Sequence, residues 1–156
     1  MTVKEAKDFF RSIRAEHTEI RHLKDLLQET ESGLLPQAIR YNKTKVQVCP
    51  DETMSRICAK IAEYEQELGE SIAILIEKKI RAEQLIRKLP DEREREVIRW
   101  YYLTCDDDYL LTWGQVAMYM NYNERYVKQL HGNALLHIAG EQENKKDGIR
   151  RSNSDF

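Results

Sequence analysis

The stretch TWGQVAMYMNYNERYVKQLHGNALLHI, residues 112–138, decides how the rest of the chain is read. Thr112 followed by Gln115 has the form of a capping box, in which two side chains each satisfy a free backbone N–H at a helix start. Val116, Ala117 and Met120 then recur at helical spacing and predict a buried stripe. Ala117 is small where two steeply crossing helices must come close. Asn121 stands where the chain needs a left-handed residue, which asparagine tolerates better than most. Tyr122 is expected to plug the turn and Asn123 to cap the next helix. Val127, Leu130, Ala134, Leu135 and Ile138 form the inner face of that second helix. Two short helices joined by a tight turn make a helix-turn-helix.

The outward face of the second helix distinguishes this pattern from an ordinary helical hairpin. Glu124, Arg125, Lys128, Gln129 and His131 are long polar residues near its start. A recognition helix needs such side chains there, because that end enters the major groove. A solvated surface helix is also charged, so the face alone leaves both readings open.

Working outward, Leu89–Ile138 resembles region four of bacterial sigma factors, the module that reads the −35 promoter element. The matching residues are LPDEREREVI from Leu89, then T-x-x-Q-V-A-x-x-M-N-Y-N from Thr112. N-E-R-Y-V-K-Q-L from Asn123 and A-L-L-x-I from Ala134 complete them. The whole chain is similar to small phage- and prophage-encoded proteins of Gram-positive bacteria, which join a helical N-terminal half to a region-four-like domain. A run like His131–Leu135 is typical of that family. The resemblance implies double-stranded DNA as a partner, with Glu124, Arg125, Lys128 and Gln129 at or near the DNA, Tyr126 and His131 flanking, and Thr112 and Asn123 at the helix starts. It also implies contact with host RNA polymerase. Arg125 stands where an acidic residue is common in sigma factors, and Tyr126 where arginine is, so a standard −35 target is not implied. Nothing resembles the sigma region that melts promoters.

The preceding chain reads as a helical hairpin. Ala6, Phe9, Phe10, Ile13, Ile20, Leu23 and Leu27, with His17 on the same stripe, space an amphipathic helix from Thr2 to about Glu31. Gly33 to Pro50 is expected to be a connecting loop, with at most a helical turn around Gln37–Tyr41. Its KTKVQV run alternates like a strand but has nothing to pair with. From Asp51 to Leu89 runs a second helix. Met54, Ile57, Ile61, Tyr64, Leu68, Ile72, Leu75, Ala82, Leu85 and Leu89 trace its near-heptad stripe, broadened by Ile76, Ile80 and Ile86. Neither stripe can be buried alone, so the two helices are expected to pair antiparallel as a coiled coil. Pairing of two hairpins into a homodimer stays open.

Pro90 ends the second helix, since the residue before proline avoids the α region. Asp91, with Glu94 three residues on, is expected to cap another helix carrying Val97, Ile98, Tyr101 and Leu103 inward. Trp100 and Tyr102 fill the same small core, or one of them faces the hairpin. Thr104–Leu111, with Asp106, Asp107 and Asp108, departs from the sigma pattern and is expected to be a solvated acidic loop off any DNA face. The aspartates lack the spacing of a calcium loop. The fold class is therefore all-α: a long hairpin over residues 1–89, a helix-turn-helix domain over 90–140 and a disordered tail over 141–156.

Composition bounds the function. Among 156 residues, 25 Lys and Arg face 27 Asp and Glu, giving a net charge of −2. DNA binding must therefore come from a local patch and be salt-sensitive. Cys49, Cys58 and Cys105 form no CxxC pair and reach no zinc spacing with the histidines, so no metal or cofactor is expected. No segment is long and apolar enough to span a bilayer, and no signal peptide is expected, which places the protein in the cytoplasm of a bacterial host cell with no membrane partner. No phosphate loop, nucleophile elbow or other catalytic motif is present, and an enzyme is not expected. The expected function is a phage or prophage transcription regulator. A DNA-packaging or assembly protein and a coiled-coil adaptor that binds no DNA are the alternatives.

Overall fold

Residues 1–41 and 51–140 are described by a computed structural model. The loop 42–50, with the KTKVQV run and Cys49, and the tail 141–156 lie outside the described residues. The fold is all-α, built from α1 (Val3–Tyr41), α2 (Asp51–Ile86), α3 (Glu92–Ile98), α4 (Trp113–Met120) and α5 (Glu124–Ala139). A π-helical turn over Arg99–Leu103 extends α3, and a two-stranded hairpin, β1 (Cys105–Asp106) and β2 (Tyr109–Leu110), precedes α4. Among the described residues no helix is long and apolar enough to cross a membrane.

The chain divides into two compact units, and the division falls within both long helices. Glu16–Ile76 forms one unit. Among its described residues Ile20, Leu23 and Leu75 are buried, and Met54, Ile57, Ile61, Tyr64 and Leu68 are half-buried along one face of α2. Met1–Ala15 and the chain from Glu77 form the other. The start of α1 therefore belongs to the same unit as the C-terminal helices, whereas the sequence reading places residues 1–89 together.

Three elements depart from expectation. Helix α1 continues to Tyr41, where a loop was expected from Gly33. Relative to alanine, Gly33 costs about 1 kcal/mol and Pro36 about 3 kcal/mol in a helix interior. Propagating a helix that is already formed needs no new nucleus, and α1 runs through both residues. On α2, Ile76 and Ile80 stand in solvent rather than broadening the buried stripe, while Ile86 is fully buried. The stripe at helical period runs through Leu75, Ala82 and Ile86, and Ile76 and Ile80 fall to one side of it. At the far end, Lys88 N–H donates to the Leu85 carbonyl at 3.2 Å and Leu89 N–H to that of Ile86 at 3.0 Å. These tighter bonds close α2 before Pro90 and leave Leu89 buried.

The third departure is the π turn. Thr104 N–H donates to the carbonyl of Arg99, five residues back, at 3.1 Å. The wider turn slips the inward face by one residue. Tyr102 is buried, while Tyr101 and Leu103, expected inside, are half-buried. Tyr102 meets Phe10 of α1, ring centroids 5.2 Å apart. Arg81 of α2 lies 5.2 Å over Phe9, so the start of α1 sits beside the end of α2, as antiparallel pairing requires.

Candidate nucleic-acid interface

Helix α4 begins as its sequence dictates. The Thr112 hydroxyl accepts from Gln115 N–H, and the Gln115 side chain accepts from Thr112 N–H at 2.9 Å. Val116, Ala117 and Met120 are buried, with Leu111 and Val97 in the same cluster. The helix ends at Asn121, whose φ of 56° and ψ of 37° are left-handed. Tyr122 N–H then bonds the Ala117 carbonyl at 3.0 Å. The Tyr122 ring does not plug the turn. It is 39% exposed and meets Tyr126 edge-on, because the side chains of Val127 and Leu130 already fill the core beneath. Asn123 caps α5, its side chain accepting from Tyr126 N–H at 2.8 Å. Gly140, at φ 73°, closes it.

Glu124, Arg125, Lys128 and Gln129 are exposed on the first two turns of α5. Arg125 and Gln129, four residues apart, share one ridge of the helix. Lys128 is bound to Glu124 on the neighbouring ridge, Nζ to Oε1 2.5 Å. Thr112 and Asn123 are exposed but engaged as caps. Tyr126 is half-buried against the hydrophobic core.

Arg93 was not among the sequence candidates. Its guanidinium donates to the Tyr126 hydroxyl at 3.0 Å and grips Asp91, the α3 cap, through both Nε and Nη2. This places an exposed cation beside the first turns of α5. A sequence separation of 33 residues hid it. The only signal was an arginine two residues after a helix cap.

His131 is not on the outward face where the sequence reading put it. It is 9% exposed, and its Nε2 lies 2.9 Å from the Tyr102 hydroxyl. Trp113 and Tyr101 stack at 3.7 Å between centroids, and Trp113 meets the imidazole edge-on. Burial pushes the His131 pKa down to about 4, and Lys7 and Arg11 of α1 push the same way. At neutral pH the ring is uncharged and part of the core. Position 131 lies four residues after Val127 and four before Leu135, both buried, so helical spacing puts it at the edge of the inner face. Burial likewise raises the Tyr102 phenol to about 12.

Glu94 caps nothing. Its side chain turns inward, 4% exposed, and Oε2 lies 2.7 Å from His137 Nδ1 on α5. Arg14 of α1 donates from Nη1 to the carbonyls of Tyr101 at 2.6 Å and Leu111 at 3.1 Å, with its guanidinium 4.0 Å above the Tyr101 ring. Together these contacts hold α4 and α5 from behind.

No family model, curated protein or solved structure matches the chain.

The acidic stretch is a hairpin rather than an irregular loop. Cys105 pairs with Leu110 and Asp106 with Tyr109, and the two turn residues, Asp107 and Asp108, have φ of 46° and 66°. Two consecutive left-handed residues make the tight turn that matches the twist of the strands, and aspartate is among the few residues that accept it. Asp106 accepts from the Tyr119 hydroxyl of α4 at 3.2 Å. Tyr119 stacks on Trp100, ring centroids 5.1 Å apart. The stretch is thus tied to α4. Among the described residues no group of His, Cys, Asp or Glu is placed to hold a metal ion.

Proposed function

We propose that the protein is a sequence-specific DNA-binding regulator of transcription that presents the first two turns of α5 to the major groove. The observation that carries this reading is the pairing of a capped α4, a three-residue turn through left-handed Asn121, and an α5 whose exposed ridge bears Arg125 and Gln129. Arginine can bond two acceptors of guanine, and a glutamine amide matches the donor and acceptor of adenine. Arg93 would meet a phosphate by exchanging its two bonds to Asp91, and Lys128 by exchanging Glu124. The likeness to sigma region four adds RNA polymerase as a partner and phage or prophage promoters as targets. His131 carries no DNA contact in this proposal.

The test is selection of bound fragments from the source genome at low salt, followed by sequencing. Enrichment of a few sites upstream of a gene block is the expected result, and enrichment at a packaging locus would favour an assembly role. On the preferred site, Arg125→Ala and Gln129→Ala are each expected to cost about 1–3 kcal/mol, with little loss on random DNA. Equal losses on both DNAs would remove the base-reading assignment. A coiled-coil adaptor is the second reading, favoured by the near-neutral charge and the Glu124–Lys128 pair. It predicts no DNA binding at any salt.

A further inference from the structure

The first turns of α1 carry a row of cations. Lys4, Lys7, Arg11 and Arg14 follow one another at steps of three, four and three residues, which is one ridge of a helix. Arg14 fixes where that ridge lies. Its guanidinium bonds the carbonyls of Tyr101 and Leu111, so the ridge runs past the residue that precedes the Thr112 cap of α4. Arg11 and Lys7 lie one and two turns back. Both act on the His131 ring of α5, whose centroid is 4.9 Å from that of Trp113, the first residue of α4. The same end of α4 adjoins the start of α5, since a β-carbon on Gly114 would stand 3.9 Å from the Glu124 carboxylate. The α1 ridge, the start of α4 and the Glu124–Lys128 side of α5 are therefore neighbours within one compact unit.

These cations differ from those on the outward face of α5 in having no counter-charge. Lys128 is held by Glu124, and Arg93 by Asp91. Among the described residues the side chains of Lys4, Lys7 and Arg11 make no hydrogen bond and no ion pair. Lys4 and Arg11 are exposed, and Lys7 is half-buried. The acidic residues of these turns fall elsewhere. Glu5 closes the helix start with Thr2, and Asp8 borders the ridge on the side away from Arg14. Like charges at three- and four-residue steps repel one another and weaken a helix, a cost that a line of anions removes.

A DNA duplex presents such a line. From Lys4 to Arg11 the ridge runs about 10 Å along the helix axis, the length of about three phosphates of one strand at roughly 3.4 Å each. We propose that α1 is a second DNA-contacting element, in which Lys4, Lys7 and Arg11 grip the phosphate backbone beside the bases read by α5. The proposal rests on the DNA-binding reading of α5 and adds what that face lacks, cations that need break no ion pair to neutralise a phosphate. Phosphates carry no sequence, so this contact sets affinity and register rather than specificity. An acidic protein face would also attract the ridge, but its place beside the starts of α4 and α5 favours the duplex.

The experiment is titration of the full chain, over a range of salt, against a fragment enriched from the source genome and against a random-sequence duplex. The slope of log affinity against log salt is expected to be about −4 to −5, and the triple variant Lys4→Gln, Lys7→Gln, Arg11→Gln should bring it to about −2. At low salt the triple variant should lose at least tenfold in affinity, and by the same factor on both duplexes. Arg125→Ala, by contrast, should lose affinity on the enriched fragment alone. Lys4→Gln with Arg11→Gln changes only exposed side chains, and it is read beside the triple variant in case loss of half-buried Lys7 lowers the melting temperature. The pair should remove about two thirds of the change in slope. An unchanged slope and affinity in these variants, with Arg125→Ala still losing the enriched fragment, would overturn the α1 contact and leave the α5 reading standing. A loss confined to the enriched fragment would make the ridge a reader of bases and overturn the inference. A full chain that binds neither duplex at low salt would overturn both readings and leave an acidic protein surface as the partner of the ridge.

Discussion

At the scale of single residues, two positions carry testable backbone and proton chemistry. Asn121 holds φ at 56° at the turn between α4 and α5. A β-carbon without a compensating amide is strained there, so Asn121→Ala is expected to lower stability by about 1–2 kcal/mol, with Asn121→Gly close to neutral. Denaturant melts of the three chains check this, and equal losses for alanine and glycine would place the cost in the amide rather than the backbone. His131 is the acid-sensitive group. Its folded pKa, about 4, lies below the ordinary histidine value, because the charged ring is buried beside the Tyr102 hydroxyl and near Lys7 and Arg11. Between those two values the unfolded chain binds the proton and the folded chain does not. Stability contributed by the neutral ring is therefore complete above about pH 6.5 and falls as pH drops toward 4, by about 3 kcal/mol in all. His131→Phe should remove this component from the pH profile of the melting temperature. An unchanged profile would assign the acid loss to other groups.

At the scale of elements, the C-terminal helices are braced by the start of α1 as well as by one another. Phe10 meets Tyr102, and Arg14 bonds the carbonyls of Tyr101 and Leu111. The first of those carbonyls lies in the π turn and the second just before the Thr112 cap, so one guanidinium serves two irregular stretches. Arg14→Met keeps the stem but leaves both carbonyls without that donor, a cost of about 1–3 kcal/mol. A fragment beginning at Glu77 should accordingly melt well below the full chain, and adding residues 1–15 in trans should recover part of the difference. If the fragment melts with the full chain, α1 is dispensable to that unit. His137→Ala tests the other brace. It strips the buried Glu94 carboxylate of its partner and should cost more than the exposed-face change Lys128→Ala, which breaks only a solvent-screened pair.

At the scale of the whole molecule, charge decides how any DNA contact behaves. The chain is nearly neutral, and Lys128 is tied to Glu124. With Arg93 of α3 and Arg125 of α5 as the exposed cations there, their share of the slope of log affinity against log salt is expected to be about −2 or shallower, counting roughly −0.9 for each phosphate neutralised. A slope of about −6 or steeper would mean that basic residues elsewhere in the chain reach the backbone.

The all-α class, the caps at Thr112, Asn121, Asn123 and Gly140, and the end of α2 near Pro90 were determined by the sequence alone, because each depends on neighbours within one helical turn. Capping, left-handed tolerance and helical period are local properties. Asp107 and Asp108 carried a local signal too, but three adjacent carboxylates read as charge before they read as a tight turn. What only the tertiary structure decided involves residues far apart in the chain. Arg93 reaches Tyr126, Glu94 reaches His137, and Arg14 reaches two carbonyls nearly a hundred residues away. The inward turn of His131 belongs here as well. A half-polar ring on a helix is equally at home in solvent or in a core, and the choice was made by the Tyr102 hydroxyl, which the π turn brought within 2.9 Å of it.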